Sequence, residues 1–386
     1  LVQLPELRYD QANRQLNLLG GTRWTGFSEI GHYQKKLADF IIEDLEEEQA
    51  TASLARQNEI DSLLANREQK RVHTHQQLQY HFQPQPWLNS SITASVGALQ
   101  YWDLRNAQSA ENNEFTQLYS SAQIDLNTNF HRRNDDVYID WLDIDGLVHN
   151  IQPYAQLSIL GNQQYGEFTP DVDTRLINTR PLQLQAGQQD QYDSLDSWSI
   201  LRTGIRQTLI TRQNNKSHNW LSWNSYIDYL FDDPIADRTL SNWYNDLNFT
   251  PSTWTNLSWD SQLPVDSTGF TQSNFSWEFR PMRTVTLRFN HFLLNDHPFL
   301  NDADFLSTRT YIRLNDEIGV STEHRYDRRS QDLIYQEYGY HRQMESWILS
   351  FNFFNRNNNQ RSEFGISVGL QLKAFPQFRA PFRLGN

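Results

Sequence analysis

Apolar residues in this chain recur at every second position over long stretches. Phe364, Ile366, Val368, Leu370 and Leu372 alternate with Gly365, Ser367, Gly369, Gln371 and Lys373. Trp347, Leu349, Phe351 and Phe353 alternate mostly with Ser346, Ser350 and Asn352. Phe275, Trp277 and Phe279 alternate with Asn274, Ser276, Glu278 and Arg280, and Val285, Leu287 and Phe289 with Thr286, Arg288 and Asn290. Side chains on a strand point to opposite faces in turn, so each segment carries one apolar and one polar face. Turn-formers separate the segments: Asp232-Asp233-Pro234, Asn295-Asp296-His297-Pro298, Asn315-Asp316, Asp327-Arg328-Arg329 and the run Asn355 to Gln360. This spacing predicts eleven strands from Trp198 to the end. The earlier half predicts fewer, longer strands: Leu4–Tyr9, Leu16–Ile30, Val72–Gln83, Ser91–Trp102, Phe115–Phe130 and Leu147–Leu160, with one more at Val137–Leu142.

Two segments break the alternation. Tyr33 to Lys70 is rich in Ala, Leu, Glu, Gln and Lys and lacks Gly and Pro; Leu37, Ile41, Leu45, Ile60 and Leu64 fall at helical spacing. It predicts an inserted helical hairpin turning at Thr51-Ala52-Ser53, with Glu43 to Glu48 as a solvated face. The Gln-rich stretch from Leu160 to Trp198, with Pro170 and Pro181, reads as a long loop, a length that is usually functional or disordered. The expected organisation is first strands over 1–32, a helical insertion over 33–70, a β-barrel over 71–375 and a tail over 376–386.

Composition sharpens the choice of class. The chain has 386 residues, 38% of them hydrophobic and 13% aromatic, so its apolar residues are diluted by alternation. No run of about 18 apolar residues exists for a membrane helix. The balance of 33 Lys+Arg against 46 Asp+Glu, net −13, argues against nucleic acid as a partner. Cysteine is absent, which removes disulfides, thiolate metal sites and a cysteine nucleophile. A soluble β-sandwich would turn its apolar faces inward. A membrane barrel turns them to lipid and lines a wet lumen with polar residues. Arg280, Arg288, Arg309, Arg313 and Glu278 on the polar positions, and Trp102, Tyr101, Trp220, Trp254 and Tyr326 near strand ends, favour the barrel. The expected fold is all-β, an antiparallel transmembrane barrel of about 17–18 strands, or part of a larger one, with the helical insertion.

Chemistry-bearing motifs are sparse. In Asp140-Trp141-Leu142-Asp143-Ile144-Asp145-Gly146, placing Asp143 and Asp145 at positions three and five of a calcium loop puts Trp141 and Gln152 where oxygen ligands are needed, so an acidic loop is expected. His73, His75 and His81 share one strand face without a carboxylate at hairpin spacing; polar lining is the expected role. No phosphate-binding loop, dinucleotide fingerprint, zinc-protease motif or nucleophile elbow occurs. No catalytic, metal or cofactor set is expected.

Several stretches resemble the lipopolysaccharide-assembly outer-membrane barrel family, also called the organic solvent tolerance protein family. They are Arg71 to Trp102, Leu147 to Leu160 with Pro153-Tyr154, Tyr192 to Ile205, Tyr338-Gly339-Tyr340 to Ser346-Trp347, and Phe364–Leu372. The turn around Asp193 lacks the family's Arg, and Ser346 stands where many members have a Cys. Leu4-Pro5-Glu6-Leu7 aligns with the middle of the family's barrel, so the chain is expected to be a processed or trimmed part of something longer, without the periplasmic jelly-roll and the first strands, or else a smaller barrel. The resemblance implies an outer-membrane location in a Gram-negative cell. It also implies lipid transfer with no covalent chemistry: lipopolysaccharide arrives over periplasmic bridge proteins, its acyl chains leave through a lateral seam, its sugars cross the lumen, and a plug lipoprotein is a partner. Proline and glycine loosen strand pairing, which makes Pro5, Gly365 and Gly369 candidate seam residues. The lumen arginines are candidate contacts for sugar phosphates, or partners of Glu278 and Glu323. A general porin and a soluble carbohydrate-binding β protein are the alternatives.

Overall fold

The computed structural model describes residues 2–16, 21–35, 39–50, 53–54, 56–57, 60, 67–106, 109–142, 144–166, 178–188, 195–213, 216–233, 238–266, 269–358, 361–374 and 379–385. Nearly all of them form one antiparallel sheet. Its strands are β1 (Val2–Leu16), β2 (Thr22–Lys35), β3 (Arg67–Gln85), β4 (Leu88–Asn106), β5 (Ser109–Asn127), β6 (Phe130–Ile139), β7 (Ile144–Tyr165), β8 (Trp198–Gln213), β9 (Lys216–Asp232), β10 (Trp243–Ser252), β11 (Thr255–Leu263), β12 (Thr271–Met282), β13 (Val285–Asn295), β14 (Ala303–Arg313), β15 (Ile318–Asp327), β16 (Asp332–Gln343), β17 (Trp347–Asn358), β18 (Arg361–Leu372) and β19 (Arg379–Gly385). One helix, α1 (Asp39–Gln49), interrupts them. Strands β5 and β6 both pair with β7, at Thr116↔Tyr165 to Asn127↔Tyr154 and then Phe130↔Ile151 to Asn134↔Leu147. Counted by partners, the sheet therefore has 18 strands, within the expected range.

Chain contacts divide the described residues into two compact units. The first comprises 1–128, 154–202 and 229–239; the second comprises 129–153, 203–228 and 240–386. In the first unit β1 to β5 form a meander, closed on one side by the second half of β7. In the second unit β9 to β19 pair consecutively. Connections differ in length. Residues 86–87, 253–254 and 283–284 are two-residue links at one end of their strands, whereas 36–66, 264–270 and 296–302 join strands at the other.

Several elements depart from expectation. A strand over Leu16–Ile30 is broken by a turn: β1 ends at Leu16 and β2 starts at Thr22, with Gly21 at φ 144°, a conformation that favours glycine. Residues 17–20 lie outside the described residues. The helical insertion is shorter than 33–70, because Tyr33 to Lys35 continue β2 and Arg67 to Lys70 begin β3, paired from Tyr33↔Gln69 to Lys35↔Arg67. Tyr33 is buried under the Arg71 guanidinium, 4.1 Å from its ring, and this packing extends the ladder beyond what local propensity gives. The hairpin turn at Thr51-Ala52 lies outside the described residues, but Arg56 meets Glu48 at 2.9 Å and the Gln57 side chain donates to Gln49 O, as a returning segment would. Val137–Leu142 splits between the end of β6 and a short 3-10 turn at Asp140–Leu142. Arg379–Gly385, expected as tail, forms β19 against β18, so Trp198 to the end holds twelve strands where eleven were expected.

Candidate functional site

Alternate residues along the strands fall on faces of different exposure. In the first unit Ile92, Val96, Leu118, Ile124 and Ile159 are exposed, with Val96 60% accessible, while Thr93, Ser95, Gln123 and Ser158 on the opposite face are buried. Register explains the sorting: Thr93, Gln123 and Ser158 lie side by side on three strands, and Ile92, Ile124 and Leu157 one residue along. The buried polar groups satisfy one another: Ser95 and Ser121 hydroxyls are 2.6 Å apart, and Ser91 and Gln123 donate to Asp125. In the second unit Phe351, Phe353 and Phe364 are exposed, Phe364 at 67%. Ser350, Asn352 and Ser367 on the other face join a network in which Asn352 donates to Ser367 and His341 bridges Ser321 and Ser350.

The polar face of the first unit carries a buried cluster of charge. Glu29 on β2 receives Arg71 from β3 at 2.8 Å and Arg8 from β1 at 3.2 Å, and His73 lies 3.6 Å away. Arg71 also donates to the Tyr101 hydroxyl at 3.3 Å. Burying charge is tolerable when it is paired in this way. Next to it, the Tyr119 hydroxyl lies 2.9 Å from His73 Nε2 and 3.1 Å from His75 Nδ1, so it donates to one ring and accepts from the other. Register makes that reach possible. His75, Gly97 and Tyr119 sit opposite one another on β3, β4 and β5, and the tyrosine ring lies over Gly97, where any Cβ would collide with it. Of the three histidines on this strand face, His73 and His75 thus converge, while His81 is exposed on its own. No group of three or more metal-ligating side chains occurs among the described residues.

Above this cluster the described part of the expected loop is not a solvent loop. Leu184, Ala186 and Leu195 are buried against Leu160, Trp198, Ile200 and Tyr119. The strand face supplies donors to the segment's backbone: Ser158 Oγ to Leu184 O at 2.8 Å, Arg202 to Leu182 O at 2.8 Å, and Gln117 to Leu195 O at 3.2 Å. Asn162 also donates to Leu195 O. The sequence reading missed this segment and its partners. The signal was present, since Leu182-Gln183-Leu184-Gln185-Ala186 alternates as a strand does.

The five charged residues expected on a polar face do share one in the second unit. Glu278, Arg288 and Arg309 are cross-strand neighbours, and Arg309 faces Glu323. Glu278 pairs with both Arg280 and Arg288, and Glu323 lies 3.9 Å from both Arg309 and Arg325. Arg313 stands near Asp316 at 3.9 Å. These guanidiniums are about half exposed, so the pairs hold orientation more than stability. Glu323 in turn stands opposite Glu337 on β16, so the row carries both signs of charge.

Of the candidate seam residues, Pro5 is in the first unit and Gly365 and Gly369 are in the second. Pro5 lies where the β1–β2 register slips between Gln3 and Glu6, as a missing amide donor dictates. Gly365 and Gly369 are on β18, which is the penultimate strand and not the last; there they face Gly385 and Pro381 of β19. The acidic stretch Asp135 to Asp145 is a turn braced by arginines, Arg133 on Asp135 at 2.8 Å and Arg212 on Asp145 at 3.4 Å, while Asp143 lies outside the described residues. No protein family matches this chain, and no curated protein matches it.

Proposed function

We propose that the protein is an outer-membrane β-barrel that delivers lipopolysaccharide into the outer leaflet, by physical transfer and without covalent chemistry. One observation carries the membrane part of this reading: large apolar side chains stand exposed on one strand face in both units, and in the first unit polar ones between them are buried. Exposing so many contiguous large apolar side chains to water is unfavourable, by about 25 cal/mol per Å2, whereas the same surface is at rest against lipid tails. A soluble carbohydrate-binding protein would sort its faces the other way.

The resemblance of Arg71 to Trp102 and of the final strands to the lipopolysaccharide-assembly family supplies the cargo. The half-exposed guanidinium groups of Arg280, Arg288, Arg309 and Arg313 suit sugar phosphates, which they bind through paired N–H donors. The ladder between β18 and β19, with glycine opposite glycine and glycine opposite proline, is the natural place for strands to part and acyl chains to pass.

The test uses the absence of native cysteine. Ser367 and Arg383 are opposite in register, so the pair Ser367→Cys and Arg383→Cys can tie the ladder shut. Oxidised cells should lose new surface lipopolysaccharide, and a reductant should restore it. Normal surface lipopolysaccharide after depletion of the protein, with ion conductance from the purified chain, would assign a porin instead.

A further inference from the structure

We infer that residues 178–188, with Leu195 to Ser197, form a built-in plug: a strap laid across the polar face of the first unit that closes its water-lined passage. The inference rests on the barrel reading above, which makes that face the lining of a lumen.

Four features of the strap argue for a seated element. First, its apolar side chains cover an apolar floor. Leu160, Trp198 and Ile200 form an apolar floor on this face, and all three are buried beneath Leu184, Ala186 and Leu195. A lumen that merely carried water would have no use for such a floor. Second, its backbone is held from several strands at once. Gln117 on β5, Ser158 and Asn162 on β7, and Arg202 on β8 all donate to its carbonyls, so it crosses the strands instead of adding to one edge. Third, the Trp198 indole donates to Ser158 Oγ at 3.0 Å, fixing the hydroxyl that holds Leu184 O. Fourth, the strap approaches the histidine pair as closely as its chemistry allows. Gly187 sits where a Cβ would come within 2.5 Å of His75 Nε2, so only glycine lets the 3-10 turn at Ala186–Gln188 rest there.

The polar lining beyond the strap shows what it guards. Ser91, Thr93, Ser95 and Gln123 continue the same face and lead toward the tight link at 86–87. A solute entering along that lining meets the strap where the lining turns apolar. The class of solute excluded is the small hydrophilic one that an unblocked barrel of this size passes. An assembly barrel has reason to exclude it, since a permanent hole in the membrane would defeat the barrier that its cargo builds.

Planar-bilayer conductance of the purified full chain tests the plug. The parent protein should be nearly silent. Replacing residues 180–188 by a short Gly-Ser linker should raise the mean current at least tenfold. A second variant, Ser158→Ala with Arg202→Ala, removes two of the strap's anchors without touching its length and should give frequent openings to the same current level. Each variant is first run unboiled on a denaturing gel, where a folded barrel migrates ahead of its boiled form. Variants that keep this shift yet stay as silent as the parent overturn the plug, as does a parent that already passes the full current. Absence of the shift in the parent overturns the barrel itself, and the plug with it, so the two failures are told apart.

Discussion

Indole N–H groups on the apolar face of the second unit each find an oxygen on the neighbouring strand. Trp223 donates to Asn245, Trp243 to Ser225, Trp259 to Ser273 and Trp277 to Thr255, at 2.8–3.3 Å. Asn245, Ser225 and Thr255 are polar residues on apolar positions, and they are buried there although the tryptophans above them are exposed or half-exposed. In water such a pairing has little value, because solvent satisfies both partners. Against hydrocarbon each group has only the other. Thr255→Val should therefore cost about 1–2 kcal/mol in urea unfolding from lipid vesicles, the price of an unpartnered N–H, but less than about 0.5 kcal/mol if that face meets water. Equal stability of the two proteins in vesicles would count against lipid contact at this position.

Among the elements, the helical arm and the loops respond to change separately from the sheet. Deleting residues 39–60 should leave the unboiled gel shift intact, because α1 contributes no strand pairing. Deleting 33–70 should abolish it, since Tyr33 and Arg67 to Lys70 belong to the β2–β3 ladder. The link at 296–302 has its own pH dependence. Asp302 accepts the Asp296 backbone N–H at 2.7 Å and an Arg329 N–H at 3.0 Å; the first of these, aided by the second, holds its carboxyl below the usual value of 3.8. A depressed carboxyl stabilises the link fully above 3.8, and the effect fades as pH falls through the lower folded value. Limited proteolysis with an acid protease should show cleavage at 296–302 rising only below that point, and Asp302→Asn should show the acid-level rate at every pH. Strand type and spacing were legible because period-two alternation is a local property. The break between Leu16 and Thr22 was hidden because Leu16, Leu18 and Leu19 keep the sequence apolar up to Gly20-Gly21. The strap was hidden for a different reason: its alternation is real, but its partners Ser158, Gln117 and Arg202 are distant in sequence, and only the fold brings them beneath it.

For the molecule as a whole, the sorting of faces matters more than any one contact. The absence of cysteine allows it to be mapped residue by residue, with a spin label at one introduced cysteine at a time. Labels at Phe351 and Phe353 should be relaxed by oxygen, which concentrates in lipid. Labels at Ser350 and Asn352 should respond instead to a water-soluble nickel chelate, giving a period of two along β17. A flat profile, or the opposite phase, would remove the membrane reading. Alternation in the sequence foretold which residues share a face. It could not say which face is buried, because phenylalanine on every second position suits a dry interior as well as a lipid boundary. The pairing of Glu278 with Arg280 and Arg288 shows the same limit, since like and unlike charges at one spacing are sorted only by cross-strand register.

The unequal connections have a topographic consequence. Links of two residues offer a protease almost no extended backbone, whereas the seven residues at 296–302 offer more, at the opposite end of β13 from the link at 283–284. In sealed vesicles holding the protein in one orientation, a protease of broad specificity would nick that link from one compartment and leave 283–284 whole from the other. The sidedness of the polypeptide is thus written in the lengths of its bends, and a gel would read it without any knowledge of the cargo.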